Sequence, residues 1–261
     1  MSKVNGFVFL VGSLVSIALL TSGCAGSAFA QTNNEVPSIH PGDPRLQIPD
    51  FEPYQAEYTS AFGRFVNQVR HYRGEDGPKI SILNIISMPQ GVIVDHRGVD
   101  AATQRIEFFH SPYFAWGPEY VVAAANEEGY DWVRVPLGGG EPVRAQGQMD
   151  TPGYFDSIGF SPLFGALMPM DVGSNFTLPR EQPRASGEVS IELVEFEVLR
   201  REHLELSSGL NCECWVIEER TAGGSVTQLW VSRQAPFVFR RHRDIGGPRE
   251  FISDLLEFSP L

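Results

Sequence analysis

"NCECWVIEERTAGGSVTQLWVSRQAPFVFR", residues Asn211–Arg240, places aromatic and β-branched runs on either side of Gly223-Gly224. Two such runs around a glycine turn read as an antiparallel hairpin. In its second run Val226 and Trp230 share one side, while Leu229 and Val231 share the other. A strand apolar on both sides needs cover on both, from a second layer or a ligand. Cys212 and Cys214 point to one face, with Trp215 and Ile217 on the other. Residues i and i+2 of an extended strand lie about 6.6–6.8 Å apart, which is wide for an easy disulfide. No C-x-x-C or H-x-x-x-H spacing supplies metal partners, so the two cysteines read as small buried strand residues and no metal is assigned, with a strained or intermolecular disulfide as the alternative in an oxidising compartment.

Moving outward, "PFVFR" continues into the basic run Arg240–Arg243, read as a solvated strand end. "REFISDLLEF" fits a last strand or a short helix. Upstream, "EVSIELVEFEVL" alternates with a phase slip at Leu193-Val194, which predicts a β-bulge or a sharp coil in one long strand. "KISILNII", "GVIVD", "EYVVAAA" and "YDWVRVPL" are further strands with turn residues between them. Phe62, Phe65, Val66 and Val69 stand at near-helical spacing and predict one or two helical turns running into a strand. Between the β-rich halves, "YFDSIGFSPLFGALMPMDVGSNFTLP" is apolar but broken by Gly and Pro. Phe155, Ile158, Phe164, Leu167 and Met168 could line one face of a short helix or loop lying over the sheet, or simply pack in the core.

The N-terminus carries Lys3, an apolar run from Phe7 to Leu20, and Ala28-Phe29-Ala30, the pattern of a signal peptide over residues 1–30. The run is shorter than the ~20 residues of a membrane-crossing helix. "LLTSGC" offers an alternative lipidation site at Cys24, which would anchor the chain to a membrane. Residues 31–53, rich in proline and polar side chains, read as an extended leader, and residues 54–261 as one β-rich domain. The net charge of −12 excludes nucleic acid as a partner drawn by the mean field. No nucleophile elbow, zinc-protease helix or phosphate loop is present, and no cofactor motif. Asp95, His96 and Asp100 could be assembled into acid–base chemistry, but they sit where a strand exit places short polar residues.

"SPLFGALMPMDVGSNFTLP", Ser208-Gly209 and "CECWVIEERTAGGSVTQLWVSRQAPFVFR" resemble a family of uncharacterised exported bacterial proteins over residues 160–240; "VIVDHRGVDAATQRIE" resembles its middle hairpins more loosely. That family is similar in fold to the periplasmic lipoprotein carriers LolA and LolB. The resemblance implies a mainly β fold, a strongly curved antiparallel sheet forming a half-barrel, with a few short helices or loops covering its concave side. Its motifs are structural, so no functional residue carries over. The resulting expectation is a periplasmic or secreted monomer that is not an enzyme and binds a hydrophobic small molecule or lipid. Phe155, Phe164, Leu167, Met168, Trp215, Trp230 and Phe237 would line its groove. The alternatives are an envelope protein that binds another protein, and a thiol- or metal-dependent enzyme.

Overall fold

A computed structural model describes residues 36–45, 50–61, 63–88, 91–113, 119–125, 129–148, 153–155, 171–183 and 189–261. The signal-peptide and Cys24 readings lie outside these residues, as do Ile158, Phe164, Leu167 and Met168. The described chain is strand throughout, with no helix among the described residues. Its strands are β1 (Tyr54–Ser60), β2 (Gly63–Gly74), β3 (Gly77–Met88), β4 (Gly91–Asp100), β5 (Ile106–Tyr113), β6 (Glu119–Ala125), β7 (Gly129–Pro136), β8 (Val143–Gln148), β9 (Tyr154–Phe155), β10 (Asn175–Pro183), β11 (Val189–Glu205), β12 (Asn211–Arg220), β13 (Val226–Val231), β14 (Val238–Arg243) and β15 (Phe251–Pro260). They form one sheet in the order β8 to β1 followed by β15 to β9. All neighbours are antiparallel except the two-residue β9, which runs parallel to β10.

Two sequential meanders are thus joined where the first strand meets the last. β1 pairs with β15 from Tyr54↔Pro260 to Ser60↔Ser253, and Leu261 N donates to Pro53 O at 2.9 Å. Laid flat, a sheet of this width would hold its edges more than ~60 Å apart. Yet only a few residues separate Gln148, at the end of edge strand β8, from Tyr154 in β9 at the opposite edge. Such a segment reaches at most roughly 20 Å, so the sheet has to curl until its edges approach. The strong curvature and the antiparallel ladder agree with the expectation from sequence.

Register shows which face turns inward. From Ala56 it passes through Asn67, Asn84 and Asp95 on β2–β4, and from Arg97 through Phe109 and Ala123 to Trp132 on β7. In the other direction it passes from Ser60 through Ser253, Arg241, Leu229 and Ile217 to Val198 on β11. Ala56, Val69, Ile80, Val198, Ile217 and Leu229 on this face are fully buried, so the centre is filled by the protein's own side chains.

Several local expectations are corrected. Residues Gly63–Val69 are strand, Phe62 lying outside the described residues: Tyr58 pairs with Phe65 and their rings stack at 5.0 Å, so cross-strand packing overrides the near-helical spacing. β11 runs through Leu193-Val194 without a slip, pairing evenly with β10, and Leu193 is simply exposed. The bulge lies further on, at Leu199 between Val198 and Arg200. Residues 251–260 are strand. The leader is partly docked: Ile39 is buried, Ile39 N donates to Thr177 O at 2.8 Å, and Thr177 N donates to Pro37 O at 2.9 Å. Cys212 and Cys214 are joined in a disulfide, because their Cα atoms are 5.3 Å apart rather than at full extension.

Candidate functional site

Where the curled sheet meets itself, the contact is asymmetric. Tyr130 of β7 projects from the inner face, on the same side as Trp132. Glu181 of β10 projects from the outer face, because its neighbour Arg180 pairs with Glu192 on the side of Phe176 and Phe196. The two side chains nevertheless touch. The β9–β10 end is therefore tucked inside the β5–β8 end, and the sheet is a scroll with overlapping edges. Among the described residues no backbone ladder joins β7 or β8 to β9 or β10.

Glu181 is completely buried in this seam. One carboxyl oxygen accepts from Gly153 N at 3.0 Å, while Oε2 is buried with no hydrogen-bond donor of its own. The Tyr130 hydroxyl beside it already donates to Ile106 O at 3.2 Å. Burial pushes Glu181 up to about 7, against the opposing influence of Gly153 N, Tyr130 and the Arg105 guanidinium. Burial also raises Tyr130, with Glu181 adding to the effect. Gly153 permits the close approach: a Cβ there would come within 2.9 Å of both Glu181 Cγ and Pro179 O.

A second polar group lies inside. Asn67, Asn84 and Asp95 are buried cross-strand neighbours on β2, β3 and β4. Asn84 Nδ2 donates to Asp95 Oδ1 at 3.0 Å, and Arg97 holds both Asp95 oxygens at 2.8 and 3.0 Å. The Asn67 and Asn84 side-chain oxygens accept no hydrogen bond from the described residues. Such a ladder in an apolar wall is costly unless completed.

Of the proposed groove residues, the three whose side chains are described, Trp215, Trp230 and Phe237, are not brought together. Trp215 pairs with Val231 and Trp230 with Val216, so the two indoles lie on opposite faces. Trp215 is half-buried with the Arg201 and Arg233 guanidinium carbons 4.7 and 5.5 Å from its ring centre. Trp230 is buried, donates to Glu202 Oε1 at 3.1 Å and lies under Arg240. Phe237 is a core residue packed edge-on against Phe51 and Tyr54. Phe155 lies in β9. The basic run is also not a uniformly solvated end: Arg240 pairs with Asp254, His242 with Glu250, and Arg241 is buried on the inner face. Asp95 and His96 point to opposite faces of β4, and Asp100 binds Lys79 and the Thr103 backbone in the next turn. They form no common centre. Among the described residues no group of three or more metal-ligating side chains converges.

No protein-family model and no curated protein matches the chain. Two solved structures are similar to it. One is a beta-barrel-like protein of domain of unknown function DUF1849 from Brucella abortus, with a TM-score of 0.49, 10% identity, and coverage of 83% of this chain and 99% of that one. The other has a YmcC-like fold and comes from Bacteroides fragilis, with a TM-score of 0.38, 11% identity, and coverage of 82% and 99%.

Proposed function

We propose that the chain is an exported envelope protein that binds a hydrophobic ligand, a lipid or acyl chain, by parting the overlapping ends of its scroll. The observation that supports this most is the seam itself, which is held by side chains around Glu181 while every neighbouring pair in the sheet is held by a backbone ladder. Parting it would expose Phe109, Val121, Ala123 and Trp132 on the inner face of β5–β7 without breaking a strand pair. The central wall is already filled, so the ligand belongs between the overlapping layers rather than in a permanent hollow. Export follows from the reading of residues 1–30, and the role is one of binding, not catalysis.

The test is binding of a fluorescent long-chain fatty acid to delipidated full-length protein, alone and after a covalent cross-link has been placed across β7 and β10. The reading expects saturable binding that the cross-link abolishes. Absence of binding by the uncross-linked protein, or equal binding after cross-linking, would refute it.

A further inference from the structure

On the outer face, β4 and β5 bring together two side chains that the proposed function leaves unused. His96 and His110 are direct cross-strand partners, with ring centres 6.0 Å apart and planes at 87°. Ser81 Oγ of β3 lies 2.9 Å from His96 Nε2. Phe108 packs against both imidazoles, at 5.2 and 5.5 Å between centres. Its ring lies over Gly98, where a Cβ would come within 2.2 Å of it, so the glycine lets the ring settle against both histidines. The sequence gives no hint of this pair, because its members are separated by a turn and share a face only through the β4–β5 register.

We propose that His96 and His110 chelate a divalent transition-metal ion of the copper–zinc class, with Ser81 orienting His96. Imidazole is a preferred ligand of these ions, and copper(II) binds most tightly among them. With metal–nitrogen bonds of ~2.0–2.1 Å, two rings sharing one ion have centres roughly 5 Å apart at a tetrahedral angle and roughly 6 Å apart when nearly opposed. The observed spacing lies within that range, so small ring rotations suffice. When Ser81 accepts from Nε2–H, the lone pair of His96 sits on Nδ1, the arrangement by which outer partners fix a ligating imidazole. Water or an external donor completes the coordination.

The experiment is titration of the full-length chain with Cu2+, read by calorimetry and by electron paramagnetic resonance. One equivalent should bind with two imidazole nitrogens in its signal. His110→Ala should weaken binding about 100-fold by removing the chelate, and Ser81→Ala about 10-fold. His203→Ala, at a histidine hydrogen-bonded to Glu213 on another part of the sheet, should change neither readout. A one-imidazole signal from the unaltered chain would overturn the proposal even if a variant failed to fold. Equal affinities of wild type and His110→Ala would overturn it as well.

Discussion

The chain's first and last strands meet inside the sheet, the sheet's two ends overlap at a seam, and these two closures differ in kind. At the β1–β15 join, backbone pairing runs the length of β1, and the Tyr58 hydroxyl adds a 2.8 Å bond across to Val238 O. At the β7–β10 seam no backbone pair is present among the described residues; the Glu181 carboxyl meets Tyr130 across it, and Gly153 N braces the carboxyl from its own side. Backbone ladders do not titrate, whereas a carboxyl held near neutrality does. The join is therefore expected to be indifferent to pH and the seam to respond to it.

The largest expected effect breaks the join. Ala56→Asp places an unpaired charge at a fully buried β1 position and should cost about 4 kcal/mol or more, seen as a lost or sharply lowered urea midpoint. Next comes the pH response of the seam. The carboxyl of Glu181 rises from its ordinary 4.5 to about 7 in the folded protein, so the folded state holds its proton more tightly than the unfolded chain. Its favourable contribution is complete below pH 4.5 and is lost as pH rises through 7, by about 3 kcal/mol in all. Glu181→Gln should thus be more stable than wild type at pH 8 and lose that advantage at pH 4, as measured by urea unfolding at both pH values.

Gly153→Ala sharpens the comparison locally. Its Cβ would press on Glu181 Cγ, Pro179 O and Ile191 Cδ1, at a cost of about 2 kcal/mol. Amide exchange should rise in β9 and β10 and not in β1 or β15. Tyr58→Phe should have the smallest effect, about 1 kcal/mol, by leaving Val238 O without its donor; a chemical denaturation curve at neutral pH would measure it.

The hairpins were legible because turn chemistry and strand composition are local: Thr221–Ser225 closes the turn between β12 and β13 where Gly223-Gly224 marked it. Phe65, Val66 and Val69 misled because, read together with Phe62, their spacing fits a helix until β1 and β3 supply partners on both sides. The bulge was misplaced because exposed Ile191 and Leu193 look like a second buried phase, although the buried set is Val194, Phe196 and Val198. Glu181 carried no signal. It meets Tyr130, which belongs to a strand near the opposite edge of the sheet, and no periodicity within β10 reports that contact.

The most direct test places spin labels across each closure, at Asp131→Cys and Leu193→Cys for the seam and at exposed positions on β2 and β15 for the join, and measures both distance distributions at pH 5 and pH 8.5. The seam distance should broaden and lengthen at the higher pH in wild type but not with Glu181→Gln, while the join stays narrow throughout. A seam that stays equally narrow at both pH values, or two closures that loosen together, would contradict the account.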